Sequence, residues 1–149
     1  MTTEVRHGRG DRGSLTLEIA VLAPALLVVI SLVIVAGRLQ VASAAVEHAA
    51  AAAARAASLA RAPGPARQAA TTVARSELDD RDLHCTNLVV SVDASGFAVP
   101  VGQPAQVRAR VQCTVPLAGL GPLPGLGASR TVTAQAVSVL DSYRSRTTR

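Results

Sequence analysis

The fold is decided by residues 13–36, which read GSLTLEIAVLAPALLVVISLVIVA. From Ile19 to Ala36 this stretch contains no charged residue. Together with the two leucines just before it, the apolar run covers about 20 residues, which as a helix is about 30 Å long and matches the thickness of a bilayer. Pro24 removes one backbone donor and should kink the helix locally, which membrane-spanning helices tolerate. We therefore predict a transmembrane helix over residues 14–37.

Arginines flank this stretch unequally. Arg6, Arg9 and Arg12 precede it, whereas only Arg38 follows it closely. Because short segments rich in basic residues stay in the cytoplasm, this bias predicts a cytoplasmic N-terminus and an extracytoplasmic C-terminal domain. The sequence thus predicts a single-pass protein of the cell membrane.

Two other interpretations of the same stretch stay open. A secretory signal peptide also begins with basic residues, and Ala42-Ser43-Ala44 fits an A-x-A cleavage pattern, which would release a small binding protein cut near Ala44. The apolar run exceeds the usual signal-peptide core of about 7–15 residues, which favours a membrane anchor. The other interpretation is an uncleaved single-span membrane protein with an external interaction domain.

The composition limits what the rest of the chain can do. The protein has 149 residues, 15 arginines, no lysine and a formal net charge of +5, but only one Phe, one Tyr and no Trp. Single-stranded nucleic acids are bound by stacking on aromatic side chains, so we predict no nucleic-acid partner despite the basic charge. Much of the 49% hydrophobic content is alanine or belongs to the membrane stretch, so the external core should be thin.

Patterns that would indicate catalysis or cofactor binding are weak. The three histidines are widely separated. Asp79, Asp80 and Asp82 form a small acidic cluster before His84, but the cluster lacks the central Gly and terminal Glu of a calcium loop. The sequence contains no G-x-S-x-G motif and no Gly-rich loop leading into a helix. We therefore predict a protein that is not an enzyme and that has no cofactor and no metal site.

Glu18 is the one charged residue in the opening stretch. A carboxylate inside hydrocarbon costs about 2.5–3.5 kcal/mol on insertion scales, although the start of a helix favours a negative charge. The pattern around it is Arg12-Gly13-Ser14-Leu15-Thr16-Leu17-Glu18, followed by apolar residues and Pro24. In this pattern the chain resembles type IV pilin precursors, which carry a short basic leader ending in Gly and a Glu at the fifth position of the mature chain.

The whole chain looks most similar to TadE-like minor pilins or pseudopilins of tight-adherence pilus systems. Three stretches carry the resemblance: GSLTLEIAVLAPALL at 13–27, the Ala-rich segment after the membrane stretch, and VRARVQCTVPLAGLGPLPGLGASRTVTAQAVSVLDSYR at 107–144. Major pilins of these systems are shorter and usually have Tyr after the Glu, whereas this chain has Ile19. The resemblance therefore implies a minor or accessory subunit of such a pilus or of a related secretion system.

The resemblance also implies which residues serve this function. A prepilin peptidase would cut between Gly13 and Ser14, so residues 1–13 would be a cytoplasmic leader. Glu18 and Pro24 would serve assembly: the Glu18 carboxylate of one subunit would pair with the new Ser14 amine of its neighbour, because an unpaired charge is costly where the dielectric is low. The implied partners are the membrane, other pilin or pseudopilin subunits, the prepilin peptidase and the pilus assembly machinery. The protein would lie in the membrane or in an extracellular pilus.

After the membrane stretch the pattern predicts two helices. Residues 38–62 are almost all alanine, which has the highest helix propensity, so we predict that the membrane helix continues to residue 62. Pro63-Gly64-Pro65 should end it, and residues 66–83 should form a second helix. The small side chains of the extension would let neighbouring helices pack closely in a filament.

Beyond the second helix, apolar and polar residues alternate, which predicts strands. The alternating segments lie at Leu88–Val92, Val107–Val115 and Ser129–Leu140. In the last of them the alternation changes phase between Ala136 and Val137, which predicts a bulge or the end of the strand.

The predicted fold is therefore α+β. It consists of a long N-terminal transmembrane helix with an Ala-rich extension, then a short helix packed on a small antiparallel sheet of about three strands. The external domain should cover residues 66–144, and residues 145–149 should form a disordered tail.

Two cysteines can strengthen this small domain. Cys85 lies just before the first strand, and Cys113 lies on the apolar face of the second. A bridge would close a loop of roughly 29 residues and contribute about 3.6 kcal/mol through lost chain entropy in the unfolded state. Since the predicted topology puts both outside the cytoplasm, where disulfides persist, we predict the bond. Two buried free thiols are the alternative.

Overall fold

The computed structural model describes residues 12–116, 129–143 and 145. Its architecture is α+β, with a long apolar N-terminal helix, a shorter helix and a three-stranded antiparallel sheet, which confirms the predicted fold class. The elements are α1 (Arg12–Leu59), α2 (Pro63–Asp79), β1 (Asn87–Asp93), a 3₁₀ turn (Ser95–Ala98), β2 (Ala105–Pro116) and β3 (Ser129–Leu140). The predicted leader up to residue 11, the loop at 117–128 and the tail from 146 lie outside the described residues. The described residues up to Gly37 and those from Arg38 onward form two separate units.

α1 contains the whole apolar stretch of the sequence. It begins at Arg12 and continues through Pro24. The large apolar side chains from Ile19 to Ile34 are exposed. By length and composition this helix could cross a membrane.

The link between α1 and α2 has the predicted length of three residues but lies three residues earlier in the chain. α1 ends at Leu59 rather than at residue 62, and α2 begins at Pro63, inside the motif predicted to separate the two helices. Ala62 is extended (φ −147°, ψ 156°), and Pro63 occupies the first helical turn. A proline is well suited to that position, because its fixed φ matches the helix and its missing N–H would have had no intrahelical acceptor.

α2 ends at Asp79, four residues before the predicted end. Asp82 adopts a left-handed conformation (φ 53°), and the Leu83 N–H donates to the Leu78 carbonyl at 3.0 Å. This bond closes the helix end in the way that a glycine commonly does. This end was not predictable from the sequence, because aspartate adopts the left-handed conformation much less often than glycine.

The sheet has the order β1-β2-β3, and both pairs are antiparallel. The prediction of a bulge or a strand end between Ala136 and Val137 is wrong. Pairing with β2 is continuous, with Ala136 opposite Ala109 and Val137 opposite Arg108. The inward face of β3 therefore runs on through Ser138, which is half-buried, while Val137 faces outward and is exposed.

The core of the second unit is built mostly from alanine. One stripe of α1, one stripe of α2 and the inward face of β2 form a single buried cluster with Phe97, the only phenylalanine. The fully buried helix residues include Ala49, Ala53, Ala57, Ala66, Ala70 and Ala74. The sequence predicts that only α2 packs on the sheet. It misses that about half of the alanines in the extension are buried in the core. That stripe is not available to a neighbouring helix.

Candidate functional site

α1 carries all the residues predicted to serve processing and assembly. The bond between Gly13 and Ser14 lies within α1, close to the first of its described residues. Position 18 follows position 14 by four residues, so the two positions lie on the same side of the helix. Pro24 follows within the same helix.

Glu18 is exposed, and it forms no ion pair with any residue that the structure describes. The side chains of Ile19 and Val21 beside it are 63% and 67% exposed. In hydrocarbon, an unpaired carboxylate costs about 2.5–3.5 kcal/mol on insertion scales. A cation supplied from outside this chain would therefore stabilise Glu18.

The predicted disulfide between Cys85 and Cys113 is present. Its Cα atoms are 5.3 Å apart, and the two residues are separated by 28 positions in the chain. Cys113 is fully buried in β2, opposite Leu88 of β1. Next to the bridge, the backbone N–H and the hydroxyl of Thr86 both donate to the Thr114 carbonyl, at 2.8 and 3.0 Å. The bond therefore fastens the segment after α2 to the central strand.

A second feature is an open groove of about 530 Å³ between the helices and β3. We call it the α1–β3 groove, and it is lined by His48, Ala51, Ala52, Arg55, Glu77, Ala136, Val137 and Ser138. The Ser138 hydroxyl donates to the Ser58 hydroxyl at 3.0 Å and ties β3 to α1. Sequence reasoning missed the groove because its residues come from three distant parts of the chain. The one available signal was the polar Ser138 on an otherwise apolar strand face.

The outward face of the sheet is polar and hydrogen-bonded. Arg110 Nη2 donates to Gln135 Oε1 at 3.0 Å, and the hydroxyls of Thr114 and Thr131 are 3.0 Å apart. At the end of β1, the Asp93 carboxylate accepts a hydrogen bond from the Ser95 backbone N–H at 3.0 Å. This bond, a bond from the Ser95 hydroxyl and the nearby Arg108 charge lower the pKa of Asp93, while slight desolvation opposes them.

No protein-family model, curated protein or solved structure matches this chain. Its function therefore has to be argued from its own residues.

The acidic cluster at the end of α2 takes part in ending the helix. Asp82 closes the helix end, and its carbonyl lies 3.1 Å from Nδ1 of His84. Among the described residues, no three His, Cys, Asp or Glu side chains converge as metal ligands would.

Proposed function

We propose that this protein is a structural minor pilin or pseudopilin of a tight-adherence type IV-like pilus or a related secretion system. It is processed after Gly13 by a prepilin peptidase and assembles through α1. The observation that carries the proposal is the course of α1: one helix contains the Gly13–Ser14 bond, then Glu18, then an exposed apolar surface, and runs on into a small disulfide-bridged domain.

Membrane anchoring is supported by the exposed apolar residues of α1. The side chains of Leu22, Leu26 and Val33 are 58%, 60% and 66% exposed. Removing apolar surface from water is favourable by about 25 cal/mol per Å², so a helix covered with such side chains requires an apolar environment. A bilayer provides one before assembly, and neighbouring helices provide one afterwards.

The disulfide supports an extracytoplasmic location for the second unit. Bonds of this kind persist in oxidising compartments and are rare in the cytosol. The arginine-rich segment before α1 stays in the cytoplasm on the same topology. The disulfide and the arginines are different residues, and both favour the same orientation.

The residue before the Gly13–Ser14 bond supports processing. A peptidase needs an extended segment, and glycine leaves a helix more easily than any other residue except proline, because its helix propensity is about 1 kcal/mol below that of alanine. The alternative A-x-A motif at Ala42-Ser43-Ala44 lies in the middle of α1, where several hydrogen-bonded turns would have to open. This contrast favours cleavage after Gly13.

Cleavage would create the cationic partner that Glu18 needs for assembly. It creates a protonated α-amino group at Ser14. In a stack of parallel helices, the amine of one subunit can pair with the exposed Glu18 of its neighbour and fix the axial register between the two. Either charge left alone in an apolar environment would be costly, so the pair selects one arrangement.

The N-terminus of the mature protein tests the proposal. Mass spectrometry of the protein purified from membranes that contain a prepilin peptidase should find Ser14 as the first residue. The variant Gly13→Val should remain full length, because a branched side chain replaces the hydrogen beside the scissile bond. The matched control Gly10→Val lies outside that bond and should be processed normally.

Other start points would contradict the proposal. A mature chain that begins near Ala45 would indicate a secreted protein released by signal peptidase. A chain that keeps residue 1 or 2 in the presence of an active prepilin peptidase would indicate an uncleaved membrane protein.

A further inference from the structure

β3 is an edge strand, and no described strand pairs with its outer edge. The order β1-β2-β3 leaves one edge of β1 and one edge of β3 unpaired among the described strands. β3 has 12 residues, whereas β1 has 7. Along such an edge, alternate N–H and C=O groups point away from the sheet and can pair with another chain. β3 therefore offers the longer row of backbone donors and acceptors.

Beyond Arg130, which lies near its start, β3 lacks the usual protections of an edge strand. Natural edge strands carry charges, prolines or bulges that prevent pairing. Residues 131–140 read TVTAQAVSVL, with no charge and no proline, and their pairing with β2 is free of bulges. On the outward face, Val137 and Val139 are 48% and 72% exposed. The sequence of this edge favours pairing.

The inward side of β3 is also incompletely covered. Val107 and Val111 of β2 are fully buried, whereas Val132, Ala134 and Ala136 of β3 are only half-buried. The α1–β3 groove opens at this side, against Ala136 and Ser138. An added strand would find room there for its inward side chains.

The charges of the groove restrict which side chains fit. Arg55 and His48 lie on its α1 side. The opposing carboxylate of Glu77 already lies 3.9 Å from Nε of Arg81. The lining between these groups includes Ala51 and Ala52. A ligand that complements the groove would therefore place a carboxylate next to Arg55. Aliphatic side chains on either side of that carboxylate would pack against Ala51 and Ala52.

We propose that the free edge of β3 docks an extended segment of another protein, which joins the sheet as a fourth strand and places an acidic side chain beside Arg55. Strand addition of this kind takes its affinity from main-chain hydrogen bonds and its specificity from pockets for alternate side chains. The surface lies in the second unit and does not include Gly13 or Glu18. Failure of this proposal and failure of the proposed function are therefore distinguishable.

Synthetic strands test the proposal on the full chain in lipid nanodiscs. The probes are ten-residue peptides that alternate Thr with aliphatic residues and carry Glu, Gln or Arg at one central aliphatic position. Fluorescence anisotropy should show that the Glu peptide binds about tenfold more tightly than the Arg peptide, since changing the sign of one charge replaces attraction by repulsion. The variant Arg55→Glu should reverse this order, and the control Arg67→Glu on α2 should leave it unchanged.

A backbone probe distinguishes strand addition from binding by side chains alone. Two versions of the Glu peptide are N-methylated, one on the odd and one on the even residues. Only one set of N–H groups can face β3, so one version should bind and the other should not. Amide hydrogen exchange should slow in β3 and not in β1 when the binding version is added.

Four results would overturn the proposal. They are equal binding of the Glu and Arg peptides, equal binding of both methylated versions, no binding of any peptide, and protection of β3 by a second copy of this chain before any peptide is added.

Discussion

Gly96 lies where an added side chain would collide with the backbone. It lies in the 3₁₀ turn after β1, where a Cβ atom would overlap the backbone carbonyl oxygen of Gln106 and would lie 3.0 Å from its carbonyl carbon. Both groups are backbone, so neither can move without displacing β2. We expect Gly96→Ala to lower the free energy of unfolding by about 1–3 kcal/mol, as overpacked cores do. Denaturant titration followed by circular dichroism measures this.

Gly64 provides the matched control for that prediction. It lies in the first turn of α2, and a Cβ atom there would meet nothing within 4 Å. Gly64→Ala should be neutral or stabilise the protein by about 0.5–1 kcal/mol through helix propensity and reduced freedom of the unfolded chain. Equal destabilisation by the two substitutions would contradict a steric role for Gly96.

Among the elements, the sheet depends most on the disulfide. Cys113 is buried in the central strand, and the bond fastens it to the segment after α2. We expect the double variant Cys85→Ala/Cys113→Ala to lose about 3.6 kcal/mol of unfolding free energy, because the unfolded chain regains the entropy of the open loop. Denaturant titration with and without a reductant measures the loss.

Treatment with a reductant separates the effect of losing the disulfide from the effect of replacing the two cysteine side chains. A reductant should destabilise the wild-type protein by a similar amount and leave the double variant unchanged. If the reductant lowered the stability of both proteins equally, the bond would not be the cause. Alanine is preferred to serine at position 113, because a buried hydroxyl without a partner would add a cost of its own.

The elements also show where sequence reasoning succeeds. Strong local patterns predicted the apolar helix, the alternation in β2 and β3, and the disulfide, because each depends on residues close in the chain or on a small core that needs a bridge. The predicted helix ends were wrong: α1 ends at Leu59, α2 begins at Pro63 after extended Ala62, and α2 ends at Asp79, before left-handed Asp82. An extended alanine and a left-handed aspartate both depart from the usual preference of the residue type, so the local sequence does not indicate them.

Tertiary contacts explain what the sequence could not predict. The bulge predicted in β3 is wrong because Ser138 finds the Ser58 hydroxyl and so can face inward. That contact joins residues 80 positions apart. The alanine stripe of α1 is buried for the same kind of reason, since alanine sequence alone does not indicate which face meets the sheet. The α1–β3 groove arises from these contacts and was therefore not predictable.

At the scale of the whole molecule, the proposed assembly would supply part of the stabilisation that a large core supplies in other proteins. One helix presents an almost unbroken apolar surface, and the second unit has a thin core of alanines with one phenylalanine. Small units bury a small fraction of their surface and are marginally stable alone. Under the proposed function, the bilayer and then neighbouring subunits cover α1, and the charge of Glu18 sets their register.

Glu18→Gln separates membrane insertion from assembly. It removes the charge and keeps the shape, so the cost of placing the side chain near hydrocarbon falls. We expect the variant to fractionate with membranes like the wild-type protein and to be processed to Ser14. Without the carboxylate, the Ser14 amine of the neighbouring subunit is left unpaired in an apolar environment, which should lower incorporation into filaments about tenfold. Immunoblots of sheared filaments and of membranes measure the two fractions.

Glu47→Gln is the control that makes this result specific. Glu47 is also exposed on α1, but it lies in the second unit, beyond the apolar stretch. Water surrounds such a carboxylate, so its loss should change incorporation little. If Glu18→Gln entered filaments as well as Glu47→Gln does, the Glu18 carboxylate would not set the register. The apolar packing of α1 alone would then have to hold the subunits together.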